Sequence, residues 1–315
     1  LPDPNAAVRM RADPIRPLVY ISNNSATIDS YNVYTGELVN SYTLPDALIK
    51  HITIANDGGV LYAMNENHLQ IDRIDLVTGN ALPPLGAMGW QTCGDCGNPF
   101  ARLMIEYVRA HGRDLLVTKV PHILDADTGT LLNPSEIGDG SIALSDGHVV
   151  TSANGRKILT TDYYETDNGK LHSLVYNAET QSFHTSILRY WAANTSRARQ
   201  FSLNSDGSRI YNMCSYPNEL SIFDTANMAL VAPVLGDFNG VAQLINDSEV
   251  LCVSYYQDLI NSYPHAWRVN VDSGELLGEY VVEGEIQYNQ HTVSSDGVRL
   301  ITRSNSYQTL TFQSL

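Results

Sequence analysis

The 315-residue chain predicts an all-β fold, a seven-bladed β-propeller of four-stranded antiparallel blades that takes up residues 1–315 as one domain. Three observations carry this. A turn signal recurs at even spacing, a second turn signal interleaves with it, and each is flanked by short β-prone apolar runs.

The first signal is Tyr34-Thr35-Gly36-Glu37-Leu38, repeated at Val77 to Ala81, Asp127 to Leu131 and Asp272 to Leu276, with degenerate copies at Asn177 to Thr180 and Asp224 to Asn227. Taking the glycine or its stand-in as marker gives positions 36, 79, 129, 179, 226 and 274, a period inside the range of propeller blades. The second signal is Asn56-Asp57-Gly58, His111-Gly112-Arg113, Asn154-Gly155-Arg156, Ser205-Asp206-Gly207, Asn246-Asp247-Ser248 and Ser295-Asp296-Gly297. An apolar run follows each, as at Val60-Leu61-Tyr62 and Leu300-Ile301. Both read as two-residue hairpin turns, in which a positive φ favours Gly or Asn.

Each unit therefore holds two hairpins, and seven units begin near Ala6, Lys50, Ala101, His148, Ala198, Val241 and Ile286. In the first, Asp13-Pro14-Ile15-Arg16-Pro17 takes the place of the Asp-Gly turn. The last ends after its third strand, at Gln308 to Phe312, so its outer strand comes from residues near Ala7 to Met10, from a segment outside this chain, or not at all. Closing such units into a ring leaves few exposed sheet edges.

These turns and strands, with Val19-Tyr20-Ile21-Ser22-Asn23 as a loose Tyr-Val-Thr-Asn strand, resemble bacterial seven-bladed propellers of the YVTN and lactonase-like type, similar in appearance to WD40 propellers. The resemblance covers nearly the whole chain and implies the architecture. There is no WD dipeptide at the blade ends.

Composition narrows the function classes. With 43% hydrophobic and 17% charged residues the chain is globular rather than disordered. Its formal net charge of -15, with lysines only at 50, 119, 157 and 170, disfavours nucleic acid and anionic membrane surfaces as partners. No apolar run reaches the length that inserts into a membrane. The abundance of Asn, Ser, Thr and Tyr with scarce Lys points to an exported, periplasmic or extracellular cell-surface protein, and the start at Leu1-Pro2-Asp3-Pro4 looks like a processed or trimmed end.

All the short turns fall on one face, and the irregular length falls on the other: residues 83–99, 133–147, 162–170, 189–196 and 254–264. Long loops on one rim of a rigid scaffold are where function usually sits. Trp90, Tyr163, Tyr164, Tyr190, Trp191, Tyr216, Tyr255, Tyr256 and Tyr263 map there, apolar rings with a polar handle that suit a glycan, peptide or protein ligand or else simply plug the rim. By register with the turns, the entrance ends of the innermost strands bring Lys50, His51, Arg102, Glu106, Arg199, Gln243, Gln290 and His291 near the axial channel. There they either line a water-filled passage or perform acid–base work.

Motifs for chemistry are sparse. Cys93 and Cys96 lack the second pair a zinc knuckle needs and the βαβ setting of a redox motif, which leaves a local disulfide staple or two free thiols. Cys214 and Cys252 sit in apolar runs and read as core thiols. Asp125 to Gly129 lacks the central glycine of a calcium loop, the nine histidines show no metal-ligand spacing, and no nucleophile elbow or phosphate loop occurs. The expectation is accordingly no cofactor, no metal, no assigned catalytic residue and a non-enzymatic binding propeller. The alternative is a lactonase-like hydrolase or lyase with its site in the channel. A third reading makes the chain an interaction domain of a larger surface protein.

Overall fold

The computed structural model describes residues 9–23, 25–86, 105–118, 123–132, 149–162, 170–190, 201–215, 218–234, 240–254, 265–282, 291–303 and 310–315. They form seven antiparallel sheets arranged as a β-propeller, with no helix among them. The first blade is β1 (Arg9–Ala12), β2 (Leu18–Ser22), β3 (Thr27–Asn32) and β4 (Leu38–Thr43). The second is β5 (Ile49–Ile54), β6 (Val60–Asn65), β7 (Gln70–Asp75) and β8 (Ala81–Leu85). The third is β9 (Ile105–Ala110), β10 (Arg113–Thr118) and β11 (Ile123–Asp125), and the fourth β12 (Val149–Thr151), β13 (Ile158–Asp162), β14 (Lys170–Asn177) and β15 (Ser182–Tyr190). The fifth is β16 (Phe201–Leu203), β17 (Arg209–Ser215), β18 (Asn218–Asp224) and β19 (Leu230–Val234). The sixth is β20 (Gly240–Asn246), β21 (Glu249–Ser254), β22 (His265–Asn270) and β23 (Leu276–Val281), and the seventh β24 (His291–Val293), β25 (Arg299–Arg303) and β26 (Leu310–Ser314).

Within each sheet the strands pair in chain order, so the first strand is inner and the last is outer. Among the described residues the third and seventh sheets have three strands, although Leu131 bridges Leu124 where a fourth strand of the third would lie. Inner strands neighbour one another round the axis: β1 beside β5, β5 beside β9, β9 beside β12, β12 beside β16, β16 beside β20, and β24 beside β1.

The core is divided among the junctions. Each sheet has two faces, and each face buries apolar side chains against a neighbouring blade. Ile28, Ile52 and Leu61 pack between the first and second blades, and Leu251, Val293 and Leu300 between the sixth and seventh. The ring closes in the same way, with Met10, Val19, Ile21 and Val33 against Ile301, and Phe312 of β26 at the edge. Met10 pairs with Ile21 in the first blade, so the possibility that residues near Ala7 to Met10 supply the outer strand of the last blade is overturned for Met10. Of the expected third strand of that blade, Gln308 to Phe312, the described part, Leu310 to Phe312, lies in β26, and Gln308 and Thr309 lie outside the described residues.

The repeat has a clear local cause. Asn32, Asp75, Asp125, Asn177, Asp224 and Asn270 each accept backbone N–H groups two and three residues ahead, as Asn32 does from Tyr34 and Thr35. This Asx cap folds a four-residue loop, which replaces the expected two-residue turn, and its last residue takes a positive φ. That residue is Gly36, Gly79, Gly129 or Gly274 in four blades, but Gln181 and Met228 in the fourth and fifth. The markers at 179 and 226 are thus corrected to 181 and 228.

The other turns stitch blade to blade. Arg16 donates to the carbonyls of Gly58 at 2.6 Å and Leu76 at 3.1 Å, while the buried Asp13 carboxylate holds its guanidinium. Arg73 donates to Asp127 O, His111 N to Gly155 O, Asn154 N to Ser205 O, Ser205 N to Asp247 Oδ1 and Arg209 to Asp272. Each bond runs from one blade to the next. At the closing junction the Tyr34 hydroxyl reaches back to Asp296 of the seventh blade.

Gly155 sits at φ +65 with a Cβ position only 2.5 Å from Arg109 O, whereas a Cβ at Gly112 would meet nothing within 4 Å. Gly155→Ala is expected to cost about 2–4 kcal/mol, and Gly112→Ala, where only the positive φ resists, about 1 kcal/mol. Thermal or denaturant unfolding of the two variants checks the difference; equal losses would show that the Arg109 contact relaxes freely.

Candidate functional site at the axial channel

The closing hairpin contacts set a common register. Asp13 N donates to Leu18 O, Ala55 N donates to Val60 O, and Ala110 pairs with Arg113. Counting back four residues from each brings Arg9, His51 and Glu106 to one level on three consecutive inner strands, at the ends away from the stitched turns. Side chains alternate along a strand, so Arg11 and Thr53, two residues on, share their faces.

His51 and Glu106 meet, with Nε2 to Oε1 at 3.9 Å. Arg11 crosses the channel from the first blade to pair with Glu106 of the third. The Thr53 hydroxyl oxygen accepts the Tyr107 N–H at 3.0 Å, and Thr53 also hydrogen-bonds the Glu106 carboxylate. Ser202 occupies the same register position in the fifth blade and makes the same kind of stitch, accepting Leu244 N–H and donating to Ala242 O. His51 Nδ1 accepts the Ile105 N–H at 3.5 Å, which leaves the ring proton on Nε2. Lys50 is turned into a separate pair with Glu66 at 2.8 Å.

Electrostatics follow from partial burial. Desolvation pushes Glu106 above the ordinary carboxyl value, and Arg11, Thr53 and Arg9 pull against it. The side chain keeps a fifth of its surface in solvent and that of Arg11 a third, so the pair faces water-accessible space. His291 behaves differently. It is buried and shares a face of β24 with Val293, which packs between the sixth and seventh blades, and burial lowers its pKa from 6.5 to about 4. Its imidazole is neutral at neutral pH.

Of the residues expected at this rim, Trp90, Tyr163, Tyr164, Trp191, Arg102, Arg199, Tyr216, Tyr255, Tyr256, Tyr263 and Gln290 lie outside the described residues. Tyr190 closes β15, its backbone paired with Lys170. Gln243 lies on β20 opposite Leu251. Cys93 and Cys96 are likewise outside, and Cys252 is a buried free thiol whose pKa burial raises. Among the described residues no group of three or more His, Cys, Asp or Glu could hold a metal ion, and no helix is long and apolar enough to cross a membrane. Sequence reasoning missed Arg9, Arg11 and Thr53; aligning Arg9-Met10-Arg11 on the Asp13 turn as a true inner strand would have found the two arginines, whereas no sequence signal marks Thr53.

No family model matches the chain, and no curated protein matches it. Solved structures do. A chain of hydrazine synthase from Kuenenia stuttgartiensis superposes with a TM-score of 0.67 at 12% identity, covering 97% of this chain and 94% of that one. A chain of a mitotic checkpoint complex gives a TM-score of 0.68 at 11% identity, covering 100% and 88%. At such identities the likeness is one of fold, the seven-bladed propeller.

His291 yields a pH prediction. Its folded pKa lies below the unfolded one, so its contribution is present above about pH 6.5 and is lost as pH falls towards about 4, an effect of about 3 kcal/mol. Glu106 acts in the opposite sense, since a raised carboxyl pKa favours the fold below the usual value and loses that contribution as pH rises. Melting temperatures of the wild type and His291→Asn between about pH 7.5 and about pH 4.5 should show a shallower acid decline in the variant; parallel curves would mean that His291 protonates freely in the fold.

Proposed function

We propose that this propeller is a non-enzymatic binding module, exported to the periplasm or cell surface, which engages a glycan, peptide or protein partner with its loop-rich aromatic face. The observation that carries the reading is the division of labour between the two faces. The stitched face spends its turns and the strand ends beside them on hydrogen bonds between neighbouring blades. On the opposite face the chain between consecutive strands varies from two residues, between Ser215 and Asn218, to nineteen, between Leu85 and Ile105. Freedom to vary on one rim, over a scaffold fixed on the other, is the arrangement of a recognition surface. The resemblance to bacterial YVTN-type propellers accords with export, and the fold's occurrence in a mitotic checkpoint complex, an assembly of proteins, accords with a protein partner.

The channel network supports the same reading. Glu106 already receives Arg11 and Thr53, and His51 spends Nδ1 on a backbone N–H, so these groups hold blades together. A second reading, a lactonase-like hydrolase or lyase, draws on one observation: a carboxyl with a raised pKa lies 3.9 Å from an imidazole. Glu106→Gln and Trp191→Ala separate the two. The binding reading expects Trp191→Ala to weaken capture of glycan-array or surface-peptide ligands about tenfold or more, with Glu106→Gln unchanged. Turnover of a lactone panel by the wild type, abolished in Glu106→Gln, would replace it with the hydrolase.

A further inference from the structure

We infer that β26, the open edge of the seventh blade, pairs with β26 of a second copy of this chain, so that the two seventh sheets join as one antiparallel sheet about a two-fold axis. The pairing does not involve the aromatic face.

The seventh sheet has three strands among the described residues, and no described strand lies beyond β26. The third sheet also has three, but there Leu131 bridges Leu124 in the fourth place. Residues 1–8 are too few to fill that place in the seventh blade. The shortest described link from an outer strand to the next inner one is five residues, as between Thr43 and Ile49. Such a link before Arg9 leaves only Leu1-Pro2-Asp3, and proline interrupts strand pairing. Side-chain burial agrees. The third strands of the other blades bury apolar residues fully or nearly so: Ile28, Ile71, Ile123, Leu174, Leu220 and Ala266. On β26, Leu310 and Phe312 are only partly buried, although Phe312 lies against Gly36 of the first blade.

The direction of the edge groups follows from one hydrogen bond. Leu315 N donates to Val298 O, and bonded pairs alternate along an antiparallel ladder, so the N–H and C=O of Leu310, Phe312 and Ser314 point away from β25. Other outer strands guard such an edge, with Pro83 and Pro84 in β8, Arg189 in β15, Pro233 in β19 and Glu279 in β23. β4 is uncharged too, but there Asn40 Oδ1 accepts the Ser41 N–H, which by the same alternation points outward. β26 has neither a charge nor a proline, and nor does the whole run 304–315. The formal charge of the chain is -15, so two copies repel wherever their acids meet, and an uncharged strand avoids that repulsion. Centring the pair on Phe312 sets it opposite Phe312 of the other copy and sets Leu310 opposite Ser314. The two rings then share a face of the joined sheet, each beside the ring-closing core of its own copy.

Sedimentation velocity of the full chain from about 5 to about 200 µM is the test, since a single strand pair is a small interface of micromolar or weaker affinity. The wild type should pass from monomer towards dimer across that range. Ser314→Pro removes an outward N–H at an exposed position and keeps the ladder to β25, and it should associate about tenfold more weakly or not at all. Thr43→Pro removes an outward N–H from β4 and should dimerise like the wild type. A wild type that stays monomeric at the top of the range overturns the inference, as does a dimer that Ser314→Pro leaves intact. Should circular dichroism show that Ser314→Pro does not fold, amide hydrogen exchange of the wild type decides. β26 must then gain protection between the lowest and highest concentrations while β4 does not, and equal protection of β26 at both overturns the pairing.

Discussion

Everything in this molecule depends on each sheet having to hide both of its faces. A four-stranded sheet in isolation exposes two apolar surfaces, and here each face is covered by the next blade, so that the core is a set of wedges rather than one central mass. Leu61 and Ile28 belong to one wedge, Val250 and Ile222 to another. The arrangement is stable only if the turning angle between blades is nearly constant, because an error at one junction accumulates round the ring. The directional hydrogen bonds of the stitched face, from Arg16 through Ser205 to Arg209, fix that angle where the turns are shortest.

The same constraint explains what could be read from the sequence. Turn residues are dictated locally, by an Asx side chain capping two N–H groups and a residue at positive φ, so a blade period was legible in residues such as Asp75 and Gly79. The reading slipped where the chemistry is less selective. Gln181 and Met228 adopt a conformation that Gly would take more easily, and nothing in their identity announces it. The register of β1 was obscured for a similar reason, since Arg9-Met10-Arg11 carries only one apolar residue.

The candidate site was legible in part. His51 and Glu106 could be placed at the channel because both lie four residues before a recognisable hairpin. Their meeting with Arg11 could not be foreseen, because it joins the first blade to the third past the second and is set by how far a long side chain reaches across a closed ring. Thr53 was invisible for the opposite reason: a hydroxyl in an apolar strand looks like an ordinary strand residue until its Tyr107 N–H partner is known.

The manner of closure has a mechanical consequence. Both the first described strand, β1, and the last, β26, border the seam between the seventh and first blades, and the seam is held by Met10, Ile301 and their neighbours with the Tyr34 to Asp296 contact. Among the described residues no backbone ladder crosses it. Tension applied across β1 and β26 would therefore load this side-chain packing, which yields over a short distance, together with the β1–β2 and β25–β26 ladders that carry the force into their blades. The other five blades lie outside that line of force, as links away from a clasp do.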